Sequence, residues 1–198
     1  MSPATPLKKP GDGATDALLL IDWFGTWDQA EPALLPRVAA AATTVARLVA
    51  QARRNDVPVI FANDNFGQWR SDFHAVINSA VDAGGKGAAV AERLAPGPGD
   101  YVILKPRHSA FFGTPLDLLL AHLQTERLLV AGVASDLCVL ATAIDAHLRD
   151  REVVVVRDAC AAASAARHRR AMDGIAAFGI GVASARQAAG LLAAARRR

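Results

Sequence analysis

Cysteine is scarce in this chain. The two present, Cys138 and Cys160, are too few for a disulfide framework and do not form a Cys-x-x-Cys pair. Free thiols are therefore expected, as in a reducing compartment, and the cytoplasm is the expected location. Long apolar runs are missing as well: none approaches the ~18 residues that a membrane-spanning helix needs. Residues Met1 to Gly13 are rich in Pro, Gly and Lys and lack the apolar core of a signal peptide. Residues 1–16 accordingly read as a flexible leader to a domain over 17–198. Charge of one sign is in small excess, with a formal net charge of +3. Much of it sits at Arg167, Arg169 and Arg170 and at Arg196 to Arg198, which read as a solvated helix face and a frayed tail. No basic stripe is interleaved with aromatics, so nothing points to nucleic acid.

What is present suits one enzyme-sized domain. A chain of 198 residues buries roughly 70% of its unfolded surface and needs no metal or disulfide staple. Short apolar runs mark strands at Ala17 to Asp22, Pro58 to Ala62, Tyr101 to Lys105, Arg127 to Gly132, Glu152 to Arg157 and Gly179 to Ala183. They are continuous rather than alternating, as parallel strands covered on both faces require. Helices are expected over Leu34 to Arg54, Pro115 to Leu123, Asp136 to Arg149, Ala166 to Phe178 and Ser184 to Arg196. The alternation predicts an α/β protein of three α/β/α layers around a six-stranded, mostly parallel, doubly wound sheet. Asn63 to Gly99 breaks the rhythm. Its glycines suggest a long irregular insertion with a short helix near Ala88 to Leu94, of the kind that forms a binding loop or lid.

In open parallel sheets ligands bind beyond the carboxyl ends of the strands. Asp22 ends the first strand, Lys105 the third, and Cys138 follows the fourth by one short turn. Three strands distant in sequence thus bring a carboxylate, an ammonium and a thiol to one rim. The start of the helix would set Cys138 among unpaired N–H groups at the positive end of the helix dipole, which favours a thiolate and could also receive an oxyanion. Lys105 would add positive charge, and Asp22 could take the thiol proton and hand it to a leaving amine. Singly, each residue has a plainer explanation: a buried small thiol, a surface charge, a turn former. Their convergence carries the functional reading.

These residues resemble the isochorismatase-like cysteine hydrolases. The resembling blocks are LLLIDWF around Asp22, VILKPRHSAFFGTPLDLLL from Val102, LLVAGVASDLCVLATAIDAHLRD around Cys138, and VVVVRDACAAAS with His168 beyond it. The resemblance implies an Asp22, Lys105, Cys138 triad and a cis peptide at Val133-Ala134. It also implies an oxyanion hole from the backbone N–H groups of Ala134 and Cys138. The implied reaction is hydrolysis of a small amide, ureide or related C–N bond through a thioester, in a homodimer or higher homo-oligomer.

The chain also departs from that family. Where many members read Asp-x-Gln-x-x-Phe, this one has Asp22-Trp23-Phe24-Gly25-Thr26-Trp27. The Asp-x-His with a further His that binds metal in nicotinamidases is replaced by Asn63-Asp64-Asn65-Phe66, and His74 lies too far along to substitute. Neither metal nor cofactor is expected. Trp23, Phe24, Asn65, Phe66, Trp69 and Phe111 are the candidate substrate-binding residues, with Arg70 and Phe112 beside them. His108 could face substrate but is expected to be solvated, and Cys160 is expected to be a buried structural thiol just past a strand end. Two alternatives stay open: vinyl ether hydrolysis with Cys138 a bystander, and a catalytically silent binding or assembly module of the same fold.

Overall fold

A computed structural model describes residues 16–27 and 30–195. In chain order the elements are β1 (Asp16–Ile21), α1 (Leu34–Arg54), β2 (Val59–Asp64), α2 (Phe73–Asp82), α3 (Gly85–Leu94), β3 (Tyr101–Lys105), α4 (Leu116–His122), β4 (Arg127–Val133), α5 (Leu140–His147), β5 (Glu152–Ala161), α6 (Ala165–Ala177), β6 (Gly181–Ala183) and α7 (Ala185–Ala195). A π-helical turn, Ser135–Val139, leads into α5. The six strands form one open sheet in the order β3-β2-β1-β4-β5-β6, and every pairing is parallel.

The continuous apolar strands explain the layers. Along β1, Leu18 and Leu20 enter a core shared with α1, α2, α3 and α7. Their neighbours Ala17, Leu19 and Ile21 enter a second core shared with α4, α5 and α6. Each strand side chain alternates faces, so a strand sandwiched between helix layers must be apolar at every position. The winding reverses at β1. From it β2 and β3 run outward on one side and β4, β5 and β6 on the other, which opens a crevice between the carboxyl ends of β1 and β4. At that point β1 and β4 come unusually close: a Cβ added at Gly132 would stand 2.6 Å from both the carbonyl oxygen and Cβ of Ile21.

Several boundaries differ from the sequence reading. Asp16, assigned there to the leader, begins β1 and accepts a hydrogen bond from Arg127 at 2.8 Å; the rest of that leader lies outside the described residues. The insertion after β2 is largely helical. Asp72 caps α2 by accepting from the Ala75 N–H at 2.8 Å, and Phe73, Val76 and Ala80 are its buried stripe. The helix expected from Asp136 starts instead with the π turn. β5 continues to Ala161, past Arg157, because the pairing with β4 shifts register between Val130 and Gly132 and then resumes. Cys160 therefore lies within the strand and not beyond it, and it is buried. β6 begins two residues late, since Gly179 adopts φ = 80° to close α6. Among the described residues no helix is long and apolar enough to cross a membrane.

Candidate active site

The reversal point of the sheet gathers the reactive side chains. Asp22 directly follows β1 in the left-handed region, φ = 52°, which Asp tolerates better than most residues. Its N–H donates to the Ala62 carbonyl at 3.0 Å. Its Oδ1 accepts from the Asp64 N–H at 2.7 Å, and its Oδ2 lies 2.8 Å from Lys105 Nζ. Lys105, the last residue of β3, is wholly buried. Its ammonium also donates to the Arg107 carbonyl at 3.1 Å and to Cys138 Sγ at 3.6 Å, and it lies 3.4 Å from Asp64 Oδ2. Cys138 sits in the π turn, where the Val139 N–H reaches back to the Ala134 carbonyl at 3.2 Å. The peptide bond between Val133 and Ala134 is cis. Asp22, Lys105 and Cys138 are thus in mutual contact.

Burial and charge set the protonation pattern. Burial raises the Asp22 carboxyl; the Lys105 ammonium and hydrogen bonds from Cys138, Lys105 and the Asp64 N–H pull the other way, and the group stays above the usual carboxylate range. Burial alone would lower Lys105, but the charges of Asp22, Cys138 and Asp64 outweigh it and hold the ammonium above its ordinary value. Burial, reinforced by the Asp22 charge and only partly opposed by Lys105, pushes the Cys138 thiol up to about 12. Burial and the Asp22 charge thus oppose the thiolate that a helix start favours, and a carboxyl group stands beside the thiol.

The loop from Pro106 to Thr114 holds the third strand's contribution against α5. Ser109 Oγ donates to Asp145 Oδ2 at 2.5 Å, and the Ala110 N–H donates to Thr142 Oγ1 at 3.0 Å. Ser109 and Ala110 thus form a latch to the helix that follows Cys138. Phe111 completes it from inside: it is buried in the core on the α5 side, with the Arg149 guanidinium 4.9 Å above its ring. His108, one residue before the latch, is exposed yet brings Nδ1 to 3.3 Å from Cys138 Sγ. It is both solvated and in contact with the thiol.

A cavity of about 530 Å³ opens over Asp22 and Cys138. Phe24, Trp27, Phe66, Val76 and Leu137 give it apolar walls, with Asp64 and His108 at the polar end. Among its described lining residues there is no arginine or lysine. An annex of about 230 Å³ adjoins it, sharing Asp64 and His108 and bounded by Asn65, Trp69 and Arg107. Of the candidate substrate-binding residues, Phe24 and Phe66 line the main cavity, whereas Asn65 and Trp69 line the annex. Trp23 and Phe111 line neither. Trp23 is 1% exposed and packs into the α1-side core, which Phe24 also joins while reaching the cavity wall. Arg70 and Phe112 are exposed and line neither cavity.

Three contributors were not singled out from sequence. Asp64 ends β2 and bridges Asp22 to Lys105; the rule that flagged the other strand ends would have found it had β2 not been cut short at Ala62. Asn63 clamps the first motif, accepting from the Phe24 N–H and donating to its carbonyl, both at 2.9 Å. Ser135, fully buried after the cis peptide, shares a 2.8 Å hydrogen bond with His168 Nδ1. Burial and the Arg157 charge lower the His168 pKa. Among the described residues no three His, Cys, Asp or Glu side chains are grouped to hold a metal ion.

A cavity at the reversal point of a parallel sheet, lined by a carboxyl group and a thiol with a buried ammonium in contact with both, is the arrangement of an enzyme. The chain belongs to the isochorismatase family, whose model, described as Isochorismatase domain, matches residues 16–187, and with that family it is a hydrolase. An uncharacterized isochorismatase family protein of Bacillus subtilis, YaaI, is 32% identical over 153 residues, covering 76% of this chain and 83% of that protein. The crystal structure of an isochorismatase family protein from Desulfovibrio vulgaris matches with a TM-score of 0.74 at 27% identity, covering 91% of this chain and 99% of that one. N-carbamoylsarcosine amidase from Thermoplasma acidophilum matches with a TM-score of 0.66 at 26% identity, covering 86% and 96%.

Proposed function

We propose that this hydrolase cleaves a small amide, ureide or related C–N bond through a covalent thioester on Cys138. The observation that carries the reading is the contact of one buried ammonium with both partners: Lys105 Nζ is 2.8 Å from Asp22 Oδ2 and 3.6 Å from Cys138 Sγ. Asp22 takes the thiol proton as sulfur attacks the carbonyl carbon, and Lys105 stabilises the developing thiolate. The backbone N–H groups of Ala134 and Cys138 receive the oxyanion. Asp22 then returns the proton to the leaving amine, and water hydrolyses the thioester. No resident metal or cofactor enters this scheme, and the reading extends to a homodimer or higher homo-oligomer.

Two observations favour C–N over vinyl ether cleavage. The thiol stands against the acid where an ether hydrolase would need only the acid. Moreover, an isochorismate-type substrate carries two carboxylates, and the described lining of the main cavity offers no arginine or lysine to pair them. The related amidase from Thermoplasma acidophilum supports the same choice. The test is intact-mass detection of an acyl adduct after incubation with a panel of small amides and ureides. An adduct on Cys138 that disappears in Cys138→Ala is expected. Unchanged turnover in Cys138→Ala would refute the nucleophile, and ether hydrolysis surviving that change would favour the alternative.

A further inference from the structure

We infer that His108 is a second catalytic base, the one that activates water to release the acyl group from Cys138. This rests on the thioester reading above. Three observations carry it. His108 Nδ1 lies 3.3 Å from Cys138 Sγ, so it borders the position of any carbon bonded to that sulfur. The contact is built into the fold: the next two residues are tied to α5, Ser109 to Asp145 and Ala110 to Thr142, and α5 is the helix that continues from Cys138. Finally, Asp22 is held by two fixed partners, whereas His108 is exposed.

On one side, Asp22 has both carboxylate oxygens engaged, Oδ1 by the Asp64 N–H and Oδ2 by Lys105, and Lys105 is wholly buried. On the other, His108 is exposed and borders both the main cavity and the annex, whose walls include the exposed Gly67, Trp69 and Arg107. His108 is the one of the two that also borders the annex, so water entering where the two cavities meet finds the imidazole beside the sulfur. Asp22 serves the thiol and the amine before the amine departs; His108 serves the water afterwards.

The step balances. Water oxygen bonds to the thioester carbon while one water proton moves to His108 Nδ1, and the carbonyl electron pair goes to oxygen. Collapse re-forms C=O and breaks C–S. The sulfur takes the bonding pair and recovers the proton from the imidazolium, leaving a carboxylic acid and the Cys138 thiol.

The probe is 4-nitrophenyl acetate, which acylates thiols and releases a coloured phenolate, used on the full chain with Cys160→Ala as background. In His108→Gln the phenolate burst is expected to persist while steady-state turnover falls roughly 10²-fold or more, the range of general-base assistance. An acetyl adduct should accumulate on Cys138 by intact mass. Imidazole added to the acetylated His108→Ala protein, freed of excess ester, should speed loss of the acetyl adduct from Cys138 by intact mass more than it does in the urea-unfolded acetyl protein, a rescue that a misfolded variant would not show. Turnover within about threefold of the parent in His108→Gln, or loss of the burst together with turnover, overturns the assignment. Hydrolysis that survives Cys138→Ala instead removes the thioester itself, an outcome visible without touching His108.

Discussion

At the scale of single residues, the site is a problem in proton placement. Asp22 and Lys105 act on the Cys138 thiol in opposite directions: the carboxylate raises its pKa and the ammonium lowers it. Asp22→Asn removes the raising charge and leaves Lys105 in place, so the thiol pKa falls and more thiolate is present at neutral pH. Alkylation of Cys138 by iodoacetamide should then be faster than in the parent, while hydrolysis drops by about 10²-fold or more because the base is gone. Lys105→Met should slow both alkylation and turnover. Rates read by intact mass on a Cys160→Ala background check this, and slower labelling in Asp22→Asn would contradict the charge pattern. Asp22, Lys105 and Cys138 were legible in the sequence because each ends or closely follows an uninterrupted apolar run, and a polar residue there can only lie at the sheet's rim. His108 was harder to read, since exposure and contact with the thiol coexist in it and no local pattern distinguishes them.

At the scale of elements, the approach of β1 to β4 depends on Gly132. A Cβ there would stand 2.6 Å from the backbone oxygen of Ile21, an atom that cannot swing aside. Gly132→Ala should destabilise by about 1–3 kcal/mol, the usual cost of forcing a methyl into a packed core. Urea unfolding measures it, and because Ile21 immediately precedes Asp22, turnover should fall as well. A variant as stable as the parent would show that the strands can part freely. Helix α2 teaches a different lesson. Its Asp72 cap and its apolar stripe at Phe73, Val76 and Ala80 are ordinary helix signals, yet the flanking glycines, Gly67 and Gly84, made the whole segment read as irregular. Those glycines instead adopt positive φ at turns outside the helix.

At the scale of the whole molecule, two buried thiols couple folding to alkaline pH. Cys138 and Cys160 are each pushed from an ordinary 9.0 to about 12, both chiefly by burial. The unfolded chain therefore releases these protons from pH 9 upward, while the folded chain holds them until about 12. Stability is full below pH 9 and is lost as pH rises toward 12. The raised Lys105 acts in the same direction above its ordinary 10.5. Unfolding free energies measured by urea at a series of pH values should decline across this window, and Cys160→Ala should flatten the decline. An unchanged slope in that variant would mean that Cys160 is not held protonated by the fold.

The sequence alone determined the layered architecture, since only a sheet covered on both faces needs strands apolar at every position. It also determined which strand ends carry reactive groups. Tertiary structure decided the rest. Trp23 and Phe24 are adjacent aromatics, yet only Phe24 faces the cavity, because a clamp from Asn63 on another strand fixes its backbone. Phe111 went to the core and His108 to the thiol because a latch onto α5 fixed the loop between them. The state of Cys138 was likewise not local: a helix start favours a thiolate, but the field at a buried sulfur is the sum of desolvation and of charges delivered from two separate strands, Asp22 and Lys105, and that sum exists only once the chain has folded.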